Sequence, residues 1–150
     1  MASIDDQPIV ETIGENCHII EFSFTVNNYR DIISLDFIKE YKILCTRFRT
    51  EWTIWILFQK FNPSDPVSSI VCISRTDDED VKVMVNFNLV LHNVSTLECT
   101  EVLDVSTSDI EKGWDFRKNI EPLLQSETSS ILNNGSLDVK FTLAVFNCHE

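Results

Sequence analysis

The stretch VKVMVNFNLVL, Val81 to Leu91, decides the fold. Val81, Val83, Val85, Phe87, Leu89 and Leu91 share one parity, against Lys82, Asn86 and Asn88 on the other. Successive side chains of an extended chain point to opposite faces, so this pattern predicts a strand with one buried face. The same period recurs in HIIEFSFTV (18–26), where Ile20, Phe22, Phe24 and Val26 alternate with Glu21, Ser23 and Thr25. It recurs again in SLDVKFTLAVF (136–146), through Leu137, Val139, Phe141, Leu143 and Val145.

Less regular segments lie between these runs. YKILCTRFR (41–49) and EWTIWILFQ (51–59) read as extended, and the second is apolar on both faces, as a central strand would be. FNPSDP (61–66) breaks the chain, and VSSIVCIS (67–74) and LECTEVLDV (97–105) read as further strands. RTDDED (75–80) reads as a hairpin connection, and LNNG (132–135) carries the Asn-Gly turn signal. Strands of this spacing indicate an all-β protein built as an antiparallel β-sandwich. Two segments depart from the pattern. YRDIISLDFIKEYK (29–42) fits a helical turn within a loop or an irregular strand. WDFRKNIEPLLQSE (114–127) spaces Trp114, Lys118 and Ile120 loosely as a helix would, so a short helix near 115–121 is expected before Pro122 ends the run.

At 150 residues with 43% hydrophobic content and ten phenylalanines, the chain suffices for one domain with a true core. Residues 1–16 read as an acidic N-terminal extension and 17–150 as the domain. That N-terminus does not resemble a secretory signal, and no apolar run is long enough to span a membrane. A cytoplasmic or nuclear protein is expected. The formal charge of −12 disfavours nucleic acid and anionic membranes and leaves polypeptides as the easier partners.

Catalytic and metal chemistry find little material. The five cysteines form no C-x-x-C pair. Cys17-His18 and Cys148-His149 look like half-sites, yet neighbours on a strand point to opposite faces and rarely chelate together. Asp77, Asp78, Glu79 and Asp80 lack the spacing of a calcium loop and read as a solvated turn. No nucleophile elbow, zinc-binding helix or phosphate-cradling glycine loop is present. No enzyme activity, metal or cofactor is expected.

FSFTVNNY (22–29), WTIWILF (52–58), VNFNLVLHN (85–93), GWDFRKNI (113–120) and ILNNGSLDVKFTLAVF (131–146), in this order, resemble the MATH or TRAF-like domain. The resemblance runs from about Ile19 to Phe146 and is nearest to the speckle-type POZ/BTB adaptors. It implies an eight-stranded antiparallel sandwich that binds short extended peptides in a shallow groove at a sheet edge. In the adaptor group those peptides read apolar-polar-Ser-Ser/Thr-Ser/Thr, and a separate BTB domain links the substrate to a cullin-type ubiquitin ligase. No BTB domain or heptad repeat occurs within these residues.

Carried over, Trp114 and Phe116 fall on the family's Trp-Gly-Phe and Lys112 on its preceding lysine. Asp115 replaces the glycine, where a carboxylate would obstruct a peptide or demand a basic one. Phe87 falls on a groove phenylalanine, while Ile70 and Ser106 lie near two other groove positions and are not aromatic. Each residue also has a plain reading: Phe87 as core, Trp114 as a buried plug, Lys112, Asp115 and Arg117 as solvated charges. The expected function is protein interaction through a partner's disordered segment, with ubiquitin ligation as its setting. The alternative is a structural protein that assembles with a folded partner or as a homo-oligomer.

Overall fold

The computed structural model describes residues 1–120 and 131–146. Among these residues the chain forms ten strands, numbered in order. The first five are β1 (Ser3–Asp6), β2 (Val10–Ile13), β3 (Cys17–Asn27), β4 (Ser34–Leu44) and β5 (Arg49–Gln59). The second five are β6 (Ser68–Arg75), β7 (Val83–Asn93), β8 (Glu98–Ile110), β9 (Asp115–Ile120) and β10 (Leu137–Phe146). They form two antiparallel sheets. One has the order β1-β3-β10-β7-β8, with β2 also paired to β3; the other runs β4-β5-β6-β9.

The alternating residues are what the sheets bury. Ile20, Phe22, Phe24 and Val26 of β3, Val83, Val85, Phe87, Leu89 and Leu91 of β7, and Leu137, Val139, Phe141, Leu143 and Val145 of β10 form one inner face. Trp52, Ile54, Ile56 and Phe58 of β5, with Val71 and Ile73 of β6, form the other. Aromatic rings join the two layers. Phe24 stacks on Phe37 of β4 with centroids 4.2 Å apart and meets Phe58 edge-on at 6.4 Å. The result is a β-sandwich, as the alternation implied. β5 is central in its sheet, with Trp55 and Leu57 half-buried on its outer face.

Several expectations need correction. The strand count is ten among the described residues rather than eight. The helix expected near 115–121 is strand β9, antiparallel to β6 with Phe116 opposite Ile73 and Lys118 opposite Val71; residue 121 lies outside the described residues. RTDDED is not a hairpin connection, because it joins β6 of one sheet to β7 of the other. The segment 29–42 realises both of its readings, as a 3-10 turn over Tyr29–Asp31 followed by β4. The Asn-Gly turn forms as the sequence indicates. Asn134 and Gly135 take φ of 52° and 80° between the bridged Asn133 and Ser136, as a type I′ turn requires.

Residues 1–16 contribute β1 and β2, which pair end to end along the outer edge of β3. Their acids reach the other sheet. Lys39 Nζ lies 2.6 Å from Asp6 Oδ2, and the Tyr41 hydroxyl donates to Glu11 Oε1 at 2.8 Å. Burial, with the Glu11 carboxylate beside it, pushes the Tyr41 hydroxyl up to about 12, so it remains a donor at any physiological pH. This side of the sandwich is therefore tied across, which leaves β8 and β9 as the edges of the opposite side.

Phe24 contacts rings from β3 and from two strands of the facing sheet, so its removal opens a void that neither layer alone can close. Phe24→Ala should cost about 3–5 kcal/mol of unfolding free energy, read from the midpoint shift in a urea titration.

Candidate functional site

β8 ends at Ile110 in one sheet and β9 begins at Asp115 in the other, so a four-residue link crosses the end of the sandwich. Gly113 makes the crossing at φ 80°, and Trp114 N donates to Glu111 O at 3.2 Å. Beneath this link lies Arg75, the last residue of β6 and 1% exposed. Its guanidinium donates to both carboxylate oxygens of Asp77, with Nε to Oδ2 and Nη2 to Oδ1 each at 3.0 Å. It also donates to the carbonyls of Val81 and Ile110, each at 2.7 Å, and of Glu79 at 3.3 Å. Asp77 in turn accepts from the backbone N–H of Glu51 at 2.9 Å and of Glu79 at 3.1 Å. One buried cation thus pins the β6–β7 crossover and the end of β8 together.

Asp77 is accordingly not part of a solvated turn, as the run of four acids had suggested. Asp78 and Asp80 are exposed, and Asp80 pairs with Lys112 at 2.6 Å. No group of three or more His, Cys, Asp or Glu able to hold a metal occurs among the described residues. His18 is buried with Nδ1 3.4 Å from Glu11 Oε2, and Cys148-His149 lies outside the described residues.

The residues singled out from the sequence separate into three groups. Phe87, Trp114 and Phe116 come together: the Phe87 ring meets Phe116 edge-on at 4.9 Å and Trp114 at 6.4 Å. Phe87 is 0% exposed and forms the floor of this cluster, while Trp114 and Phe116 are half-buried above it. Trp114 is also anchored against Trp52, at 6.4 Å. Ile70 and Asp115 lie on the outer face of the four-stranded sheet, opposite Asn119 and Ser74 respectively. Ile70 lines a shallow recess of about 250 Å³ with Phe61, Ser68 and Asn119. Ser106 stands on the outer face of the other sheet, exposed, where its Oγ accepts from Asn86 Nδ2 at 2.6 Å. Lys112 sits in the link, held by Asp80.

What the sequence left unseen is the backbone of β9. Arg75 N donates to Trp114 O at 2.9 Å, and these residues lie directly opposite in the register that runs without a bulge to Ile120. Hydrogen-bonded pairs alternate along an antiparallel ladder, so Phe116, Lys118 and Ile120 continue the bonds to β6. Asp115, Arg117 and Asn119 therefore turn their N–H and C=O groups away from the sheet. Among the described residues no strand pairs with that edge. The Asp115 carboxylate accepts from Ser74 Oγ at 2.6 Å, which holds it down on the sheet face.

β8 is open in the same way but is blunted. Its pairing with β7 shifts register twice, and Glu98, Glu101, Asp104 and Asp109 line it. Bulges and charge of this kind keep an edge from recruiting another strand. β9 pairs with β6 without a bulge, and its charges are mixed in sign, with Asp115 ahead of Arg117 and Lys118.

Comparison with family models and with curated protein sequences finds no match. No helix among the described residues is long and apolar enough to cross a membrane.

Burial by itself would raise the Asp77 carboxyl, but the Arg75 hydrogen bonds and the two backbone N–H groups together hold it below its ordinary value of 3.8. A carboxylate lowered by folding stabilises the native state fully above its unfolded value and loses that contribution as pH falls through the folded one. Unfolding stability should therefore drop below about pH 4 more steeply in the native chain than in Asp77→Asn. At neutral pH, Arg75→Ala strands a buried carboxylate and three carbonyls, and should cost about 3–5 kcal/mol in chemical denaturation. The pair Arg75→Met with Asp77→Leu should not restore that loss, since the carbonyls stay without their donor.

Proposed function

We propose that this chain is a non-enzymatic protein-interaction domain of the MATH type that holds an extended partner peptide as an added strand along β9. The carrying observation is the open backbone of Asp115, Arg117 and Asn119 beside two half-buried aromatic rings. Strand addition draws affinity from main-chain hydrogen bonds and selectivity from alternate side chains. Phe116 lies on the inner side of the edge, where it can receive an apolar side chain of the added strand. Phe87 and Trp52 keep Phe116 and Trp114 from folding inward. Binding of this kind is of micromolar strength, on the order of −8 kcal/mol.

The partner is a disordered segment of another protein, met in the cytoplasm or nucleus. Service as the recognition module of a ubiquitin-ligase adaptor follows from the sequence resemblance alone. Self-assembly through the long β8 edge is the less favoured use, because pairing two copies there would bring their acids together.

Residue 119 turns its N–H outward, so proline there removes a donor the fold does not use, and an edge strand tolerates it. Asn119→Pro should keep the thermal midpoint within a few degrees and abolish peptide binding. In the native chain, peptide should slow hydrogen exchange at Asp115, Arg117 and Asn119, while Phe116 and Lys118 are slow already. Peptide binding that leaves those three amides unchanged would place the site elsewhere.

A further inference from the structure

We infer that the segment added to β9 is acidic, with two consecutive carboxylate residues followed by an apolar one. This rests on the strand-addition reading of β9 and gives its ligand a chemistry. Lys112, Arg117 and Lys118 stand within seven residues of a chain whose formal charge is −12. Lys112 is engaged by Asp80. Arg117 and Lys118 are exposed and make no ion pair among the described residues. The one acid of β9, Asp115, is held by the Ser74 hydroxyl at the start of the strand, which weakens its demand for a basic ligand.

The register makes the preference positional. Arg117 lies opposite Cys72 on the outer face of the sheet, and Lys118 lies opposite Val71 on the inner face. Lys118 occupies an inward parity yet stays exposed. A strand laid antiparallel along β9 would place one residue against Lys118, the next against Arg117 and the next against Phe116. Consecutive acids would meet the two cations on opposite faces, and the third residue would meet the aromatic ring. Like charges directly across a strand pair repel and opposite charges attract. The β8 edge carries Glu98, Glu101, Asp104 and Asp109, which disfavours an anionic strand there and leaves β9 as the edge an acidic segment adds to.

The test is fluorescence anisotropy on the full chain with short labelled peptides centred on Glu-Glu-Leu, Gln-Gln-Leu or Lys-Lys-Leu, paired with amide exchange at β9. Tightest binding of Glu-Glu-Leu, with protection of the Arg117 and Asn119 amides, is the expected result. Arg117→Glu and Lys118→Glu should each weaken it by about five- to thirtyfold. Lys42→Glu, an exposed cation on β4 at the other side of the sandwich, should not. Each variant's thermal midpoint checks the fold. If Gln-Gln-Leu or Ser/Thr-rich peptides protect the same amides as well as Glu-Glu-Leu, the acidic preference is wrong and the strand-addition site stands. If no peptide protects them, the site itself fails. Equal weakening by Lys42→Glu would reduce the effect to general charge attraction and overturn the inference. Self-association lost in Arg117→Glu would also overturn it, since the acidic strand would then be β8 of a second copy.

Discussion

The guanidinium of Arg75 is the constraint on which this end of the molecule depends. A β-sandwich needs its two sheets fixed relative to one another where the chain crosses between them. Apolar side chains supply that through the middle of the layers, but the crossings at the ends are backbone with polar groups to satisfy. Here one buried side chain donates to three carbonyls and a carboxylate drawn from the β6–β7 crossover and the last residue of β8. The same residue's backbone N–H starts the ladder to β9. Withdrawing the guanidinium would free the crossover and the end of β8 at once, while the backbone N–H, which any residue but proline supplies, would still fix the first pairing of β9. The direction in which β9 presents its edge is therefore set from inside the fold.

Most of the architecture was legible because burial on one face writes itself as a period of two. β3, β7 and β10 could be read residue by residue, since their inner faces are fully covered. β9 could not. Its inner-face position 118 is an exposed lysine, so the alternation stops after Phe116 and a looser helical spacing takes its place. β1 and β2 escaped for a related reason. Four-residue edge strands with acids facing the other sheet have no apolar face to show.

The candidate site was legible in part. The three aromatics were found and do cluster, while Ile70 and Ser106 fall on outer faces of different sheets. Arg75 carried a signal that went unused: it shares the buried parity of Val71 and Ile73, and an arginine in that series must find partners inside. Asp77, two residues on, is the nearest acid that can supply them. A cluster of carboxylates looks solvated until one member is seen to have a buried cation assigned to it. The outward backbone of β9 has no signature in side chains at all, because it depends on register.

The place of β10 has a consequence for how the molecule is made. This strand lies between β3 and β7, and its Asp138 pairs with Thr25, which precedes it by more than a hundred positions. The phenylalanines of β3 have no sheet partner on that side until the strand beginning at Leu137 has been synthesised. Contacts so distant in sequence are slow to close. During translation the early strands must wait with apolar residues uncovered, and β1 and β2 guard only the opposite edge of β3. A nascent chain of this design is exposed to aggregation for most of its synthesis, and its dependence on chaperones should exceed that of a helical domain of equal length.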